Sequence, residues 1–168
     1  MFGGENSVNG PGYPQMASRW PVVTWGGGGS GQRFVYLGDS DLTGFGPYYG
    51  AAWSDLEDFE RSIGALKKIE ATGWLTFHHM GLIEDRSSFL DMLESFENMI
   101  AVREENLTTC LSEPGTMQEI VAHRFVCWPG TEVLIIDATQ KRSMSMHLDR
   151  LIRKGVVKNE NGNFSVTR

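Results

Sequence analysis

The sequence is poor in cysteine and histidine, and it lacks any apolar run long enough for a membrane span. Its two cysteines, Cys110 and Cys127, are too few for a disulfide-rich scaffold. Both lie among apolar residues, which favours reduced thiols in a cytosolic protein, although the sequence leaves a disulfide open. The Gly-rich N-terminus has no signal-peptide core. We therefore expect a cytoplasmic protein without a membrane partner.

Two common catalytic motifs are also missing. No serine lies in a Gly-x-Ser-x-Gly setting, and the glycine run 26–29 lacks the Lys-Ser/Thr of a phosphate loop. The net charge of −6 is unevenly distributed. Residues 1–115 hold 7 Lys and Arg against 16 Asp and Glu, whereas residues 116–168 hold 8 against 5. The acidic body disfavours nucleic acid as a partner, and the basic tail keeps that option open.

The first two stretches of the chain differ in composition. Residues 1–32 are rich in glycine and turn residues, and they predict an irregular segment with one short strand within 20–25. Residues 33–112 alternate strand and helix patterns, which predicts an α/β arrangement with parallel pairing. The predicted elements are strands at 34–37 and 74–77, a helix from a capping box at 54–57 to Gly73, and a helix over 85–111.

Residues 113–168 change pattern again. A second capping box at 116–119 opens a short helix. A further helix is predicted over 140–154, and an Asn161-Gly162 turn predicts a β-hairpin after it. Helix, helix and hairpin in this order predict a winged helix-turn-helix. The residues of the last helix expected to face inward are Met144, His147, Leu148, Leu151 and Ile152.

Two strand ends present metal-ligand residue types. Asp39 and Asp41 follow the first strand, and His78 and His79 end the second. Carboxylate oxygen and imidazole nitrogen together suit zinc. Because neighbouring residues of a strand point to opposite faces, only one of the two histidines is expected to reach the site. The alternative is that Asp39 simply caps a turn.

The sequence also resembles a known family. The matching stretches are FVYLGDSDLTGFGPYYG, SDLEDFERSI, WLTFHHMGLIEDR, TMQEIVAHRF and KRSMSMHLDRLIRKG. They resemble metallo-β-lactamase-fold hydrolases that have a C-terminal winged-helix domain. The resemblance implies half of an αββα sandwich followed by a winged helix, and hydrolysis of an ester, lactone, thioester or phosphodiester by a metal-bound hydroxide. It implies one or two zinc ions.

The resemblance also assigns residues. It implies that Asp39 bridges the metals and that the family's last histidine ligand falls on His78 or His79, with His78 marginally favoured. Asp41 would support a ligand or face a small-molecule substrate. Tyr48 and Tyr49, in the loop that follows, either line the substrate cleft or shield the end of the sheet.

One half of the family's site is missing from the sequence. The His-x-His-x-Asp-His cluster is absent, and of the four histidines the remaining two, His123 and His147, read as polar residues of the C-terminal domain. A catalytic zinc needs about three protein ligands and an open position. We therefore expect the C-terminal portion of such a hydrolase, incomplete or inactive by itself. One sheet face would then need a homo-oligomer, a partner chain or the N-terminal segment to cover it.

Two other function classes remain open. The chain is alternatively a non-catalytic interaction domain that keeps the fold for association. It is alternatively a winged-helix nucleic-acid-binding module, in which Lys141 and Arg142 would contact phosphates. The same helix also carries Arg150, Arg153 and Lys154, and Asp149 interrupts this basic run, which disfavours the nucleic-acid hypothesis.

Overall fold

The architecture comes from a computed structural model, which describes residues 23–26, 33–38, 40–126 and 134–167. Most of the predicted irregular segment (1–22 and 27–32), Asp39, Cys127 and residues 128–133 lie outside this part of the chain. None of the helices in the described ranges is both long and apolar enough to cross a bilayer. In chain order the elements are β1 (Val23–Gly26), β2 (Arg33–Tyr36), α1 (Leu56–Leu66), β3 (Gly73–Leu75), β4 (Leu82–Ile83), α2 (Arg86–Cys110), β5 (Gly115–Thr116), α3 (Met117–Ala122), α4 (Leu134–Arg153), β6 (Val157–Glu160) and β7 (Asn163–Val166).

The first sheet has the strand order β1-β2-β3-β4. Strands β2 and β3 are parallel, as the strand–helix–strand pattern predicts, because α1 crosses between them. The two outer pairs are antiparallel. The predicted strand 74–77 is wrong in its end, since β3 stops at Leu75 and the chain turns from residue 77 to residue 80.

The two faces of this sheet differ. Val35, Trp74 and Ile83 are buried against the first core, and Trp74 stacks on Phe89 of α2 with the ring centroids 4.3 Å apart. Alternation puts Leu75 and its cross-strand partner Leu82 on the opposite face. Their side chains are 41% and 49% exposed. In the part of the chain that the structure describes, the β3–β4 end of this face is therefore apolar and accessible.

Helix α1 begins and ends at other residues than the sequence predicts. Asp55, not Ser54, is the N-cap: its carboxylate accepts a hydrogen bond from the backbone N–H of Asp58 at 2.8 Å. The helix ends at Leu66 rather than continuing toward Gly73. Gly73 instead belongs to β3, where a Cβ would approach the ring of Phe34 to 2.8 Å. Close cross-strand packing therefore accounts for this glycine.

Helix α2 joins two hydrophobic cores. The predicted helix over 85–111 is confirmed, and Asp85 caps it by accepting from the backbone N–H of Ser88 at 2.7 Å. Its first half supplies Phe89, Leu93, Phe96 and Ile100 to the core beneath the first sheet. Leu107, with Leu111 just after the helix, packs instead in a second core with α3, α4 and the C-terminal strands.

The C-terminal elements surround the second core. Strands β5, β7 and β6 form an antiparallel sheet, and α3 and α4 lie between β5 and β6 in the chain. The capping box at Thr116 and Glu119 is confirmed. The hairpin turn is confirmed as well, because Asn161 and Gly162 both have positive φ, 55° and 88°, as a type I′ turn requires.

Helix α4 differs from its prediction in its first residue and in the exposure of one residue that was expected to face inward. It begins at Leu134 rather than Gln140. Among the side chains that the structure describes near that end, the buried ones are polar, Thr139, Gln140 and Ser143, so apolar periodicity did not reveal them. The inward orientation of Met144, His147, Leu148 and Leu151 is confirmed, whereas Ile152 is 36% exposed.

Candidate metal centre

The candidate site lies at the edge of the first sheet where the parallel strands β2 and β3 end. Backbone hydrogen bonds extend the pairing beyond the strands: Leu37 N–H donates to Leu75 O at 2.8 Å, and Phe77 N–H donates to Gly38 O at 3.1 Å. Gly38 has φ of 59°, which lets the chain turn there. The segments that follow both strands therefore emerge side by side. Asp39 lies outside the described residues, so its ligand role stays a prediction.

Asp41 and His79 meet at this edge. The Oδ2 atom of Asp41 lies 3.0 Å from Nδ1 of His79. Its Oδ1 atom accepts from the backbone N–H and the hydroxyl of Thr43, at 3.1 and 3.0 Å. These two bonds hold the carboxylate in place, and the other oxygen remains directed at the imidazole. The pair is accessible, since the His79 side chain is 69% exposed.

The two adjacent histidines differ in their surroundings. The reasoning that they point to opposite faces of a strand is wrong, because both lie in the turn after β3. His79 has φ of 59°, and this left-handed backbone directs its ring toward Asp41. The ring of His78 packs edge-on against Phe77, with centroids 4.4 Å apart. His79, rather than the marginally favoured His78, is therefore the imidazole beside the carboxylate.

The residues present do not by themselves fit a metal ion. Within residues 33–38, 40–126 and 134–167, no three or more His, Cys, Asp or Glu side chains are grouped so that they could hold one. Asp41 and His79 supply two donors, fewer than the roughly three ligands of a catalytic zinc. Asp41 and His79 alone therefore do not make a catalytic zinc site.

The two tyrosines proposed for a substrate cleft take different positions. Tyr48 is 50% exposed, and its hydroxyl lies 3.2 Å from Oγ1 of Thr139 on α4. Tyr49 is fully buried, so the structure places it in the core rather than on a cleft wall. Its ring packs edge-on against those of Phe59 and His147. Which of the two alternatives applies to Tyr48 stays a prediction.

A buried polar cluster lies next to the loop 45–50, and the sequence analysis did not predict it. Tyr49 Oη lies 2.7 Å from Nε2 of His147, and Nδ1 of His147 lies 3.2 Å from Oε1 of Glu104. Arg150 donates to the same Glu104 oxygen at 2.6 Å and to both carboxylate oxygens of Glu60, at 2.8 and 2.7 Å. This cluster connects α1, the loop 45–50, α2 and α4.

Arg103 of α2 also binds the loop 45–50 through hydrogen bonds. It donates to the carbonyls of Pro47 and Phe45, at 2.5 and 2.6 Å, and to Tyr49 Oη at 3.0 Å. The side chain is almost fully buried. A signal was available in the sequence, because Arg103 lies on the apolar stripe of α2 between Ile100 and Leu107. A charged residue on such a stripe indicates a buried polar partner.

Burial and hydrogen bonding shift the pKa values of this cluster. Burial raises the pKa of Tyr49, although the Arg103 charge opposes it. Burial also acts to raise the pKa of Glu104, but hydrogen bonds from His147 and Arg150 outweigh it and hold that pKa below its usual range. Burial lowers the pKa of His147 despite the opposing carboxylate of Glu104. We conclude that Glu104 is ionised and His147 neutral at pH 7.

Basic side chains of α4 contact the rest of the protein. Arg142, proposed to contact phosphates, donates to the carbonyls of Ala51 and Ser54, at 2.6 and 3.3 Å. Arg150 is bound in the buried cluster, and Arg153 pairs with Glu57 of α1. Lys141 is exposed. Most of this basic row therefore attaches α4 to the first sheet's helices and loop.

The comparisons with known proteins support the fold at a coarse level. No protein-family model matches the chain, and no curated protein sequence matches it. A search of solved structures finds a metallo-β-lactamase family protein from Thermus thermophilus, with a TM-score of 0.58 and 22% identity. The match covers 80% of this chain and 42% of that protein. The chain therefore shares a partial metallo-β-lactamase-like α/β fold and spans less than half of its neighbour's length.

Proposed function

We propose that this chain is the C-terminal portion of a metal-dependent hydrolase of the metallo-β-lactamase superfamily and that it is inactive by itself. Its substrate would be an ester, lactone, thioester or phosphodiester. The observation that supports the proposal is the meeting of Asp41 and His79 at the ends of two parallel strands, 3.0 Å apart. Asp39 and His79 would be zinc ligands, and the remaining ligands would come from a polypeptide layer that this chain lacks.

Zinc titration tests the proposal without relying on activity. We expect weak binding of zinc by the wild-type chain, lost in Asp39→Ala and His79→Ala. His78→Ala tests the other histidine and should bind zinc as the wild type does. Asp149→Ala is the matched control, because this exposed carboxylate lies on α4. Zinc binding that survives both Asp39→Ala and His79→Ala would contradict the assignment.

Hydrolysis by the isolated chain is the second measurement. We expect no turnover of p-nitrophenyl acetate or bis-p-nitrophenyl phosphate with zinc added, because two or three ligands leave the ion poorly held. Near-stoichiometric metal in the purified protein, accompanied by turnover that Asp39→Ala removes, would show instead that the chain contains a complete site. That result would overturn the claim that it is inactive alone.

The open sheet face favours a second candidate function, association with another polypeptide. Leu75, Phe77 and Leu82 are exposed on the β3–β4 hairpin, Phe77 to 63%. Soluble proteins rarely leave large contiguous apolar patches uncovered unless they bind something. We propose that a second copy or a partner chain covers this face. Sedimentation should detect self-association that Leu75→Ser with Leu82→Ser weakens and that Val156→Ser, at a similarly exposed residue just before β6, does not.

We propose further that residues 113–167 form a winged helix that packs on the protein and does not bind nucleic acid. The strand order β5-β7-β6 and the hairpin turn at Asn161-Gly162 support the winged-helix topology. The contacts of Arg142 with Ala51 and Ser54 support the packing role. We expect no salt-dependent binding to a generic DNA duplex. Binding that Lys141→Ala abolishes would contradict this assignment.

A further inference from the structure

His147 occupies the junction of three structural elements. It lies on α4, it has no exposed surface, and it contacts both the loop 45–50 and α2. Nε2 is 2.7 Å from Tyr49 Oη, and Nδ1 is 3.2 Å from Glu104 Oε1. Neither contact belongs to the candidate metal edge. The arrangement thus calls for an explanation independent of the proposed hydrolase function.

The hydrogen-bond partners determine which nitrogen of His147 holds the proton. Glu104 is ionised and can only accept, so Nδ1–H of His147 donates to it. Nε2 then has a free lone pair, which accepts the O–H of Tyr49. The Tyr49 oxygen accepts in turn from Nη1 of Arg103 at 3.0 Å. Each of these groups therefore has a matched partner only while His147 is neutral.

A second proton on His147 would disturb this arrangement. Nε2–H would point at a hydroxyl oxygen that already accepts from Arg103, and the Tyr49 hydrogen would lose its acceptor. The Glu104 carboxylate would favour the new charge, but it already receives Arg150. Two arginines would repel the new charge. The charged and titratable groups around His147 are Tyr49 from the loop, Arg103 and Glu104 from α2, Arg150 and Lys154 from α4, and Glu60 from α1 through Arg150.

We propose that the Tyr49–His147 hydrogen bond is an acid-released latch that holds the loop 45–50 against α4. A proton from solvent binds Nε2, Tyr49 keeps its own proton, and the hydrogen bond that the Tyr49 O–H donates to Nε2 is lost. The loop begins four residues after Asp41, so its release changes the surroundings of the candidate edge. Burial lowers the pKa of His147, which keeps the latch closed at neutral pH.

Hydrogen–deuterium exchange of the whole chain tests the latch. Exchange is measured between about pH 7.5 and about pH 5, the range in which histidines titrate, and corrected for its intrinsic pH dependence. We expect exchange of the loop peptide to rise about tenfold on acidification, while the β6–β7 hairpin stays protected. His147→Gln should remove the pH dependence. His123→Gln, which alters an exposed histidine of the same C-terminal part, should leave it unchanged.

Two conservative variants separate the hydrogen bond from the charge that tunes it. Tyr49→Phe removes the Tyr49–His147 hydrogen bond, so exchange of the loop 45–50 should be raised at neutral pH and lose its pH dependence, as in His147→Gln. Glu104→Gln removes the charge that stabilises protonated His147, so the loop should open at lower pH. Equal pH responses in wild type and His147→Gln would overturn the proposal. So would a Tyr49→Phe variant whose loop keeps the wild-type pH response.

Discussion

Two histidine–carboxylate pairs in this protein have similar geometry and different surroundings. His79 and Asp41 approach to 3.0 Å at the sheet edge, and His147 and Glu104 approach to 3.2 Å between α2 and α4. The side chain of His79 is 69% exposed and that of His147 is fully buried. The exposed pair can exchange its partner for a ligand at little cost, because water replaces lost contacts. The buried pair cannot, because each unpaired group there would remain without water.

The comparison distinguishes an exposed pair that is suited to ligand binding from a buried pair that holds structural elements together. The sheet edge has an accessible imidazole beside a carboxylate, as a binding site requires. The buried cluster joins α1, the loop 45–50, α2 and α4, and it therefore sets how the C-terminal elements dock on the first sheet. Removing groups from the buried cluster should destabilise the fold, whereas changes at the edge should alter only ligand binding.

Arg103→Leu should give the largest effect. It would leave the carbonyls of Phe45 and Pro47 buried without their donor, so we expect a loss of about 3 kcal/mol in the free energy of unfolding. Urea denaturation measures it. Arg61→Leu is the control, since the Arg61 side chain is 67% exposed in its pair with Asp58, and it should cost less than about 0.5 kcal/mol. Equal losses in the free energy of unfolding of the two variants would show that Arg103 stabilises the fold no more than an exposed ion pair does.

The two histidines test the comparison directly. His147→Gln should cost about 2 kcal/mol at neutral pH, because Tyr49 and Glu104 lose a well-placed partner in the core. His79→Gln should change stability by less than about 0.5 kcal/mol. Parallel thermal and urea unfolding of both variants measures the difference. A large loss in His79→Gln would mean that the sheet edge is structural, which would weaken its interpretation as a binding site.

Two glycines test how closely the loop packs on α4. A Cβ at Gly50 would meet Cγ2 of Thr139 at 2.0 Å, whereas a Cβ at Gly44 has no neighbour within 4 Å. We expect Gly50→Ala to destabilise the protein by about 1.5 kcal/mol through overpacking. Gly44→Ala should be neutral or stabilising, by at most about 1 kcal/mol, because it restricts the unfolded chain. A neutral Gly50→Ala would show that the loop is loosely docked.

The smallest effect concerns pH. The folded pKa of His147 is lowered, so the unfolded chain takes up a proton before the folded protein does as the pH falls. Stability should therefore be complete above the ordinary histidine pKa of about 6.5 and decrease below it. The lowered pKa of Glu104 acts at more acidic pH, where its stabilising contribution is lost. Urea midpoints across this range should fall less steeply in His147→Gln than in wild type.

Much of the fold could be predicted because its signals are local. The cap of α2 at Asp85, the capping box at Thr116 and the turn at Asn161-Gly162 each depend on residues adjacent in sequence. Errors arose where packing overrides local pattern. The start of helix α4 before Gln140 was missed where the buried residues are polar, Thr139, Gln140 and Ser143, and Gly73 belongs to β3, where Phe34 packs against it.

The candidate site could be predicted only in part. The sequence placed Asp41 and the histidine pair at neighbouring strand ends, because carboxyl ends of parallel strands share one edge. It could not select His79, since that choice depends on a left-handed backbone in the turn after β3. It also left open the role of Tyr49, which burial decides.

The sequence by itself determined the order and type of most elements and that the chain contains no His-x-His-x-Asp-His cluster. Periodicity, caps and residue identity are enough for these. Only the tertiary structure decided that the similar pairs at His79 and His147 differ in exposure. It also decided that Arg103 and Arg142 donate hydrogen bonds to backbone carbonyls of the segment before α1. The reason is that burial and partner choice depend on which distant segments pack together.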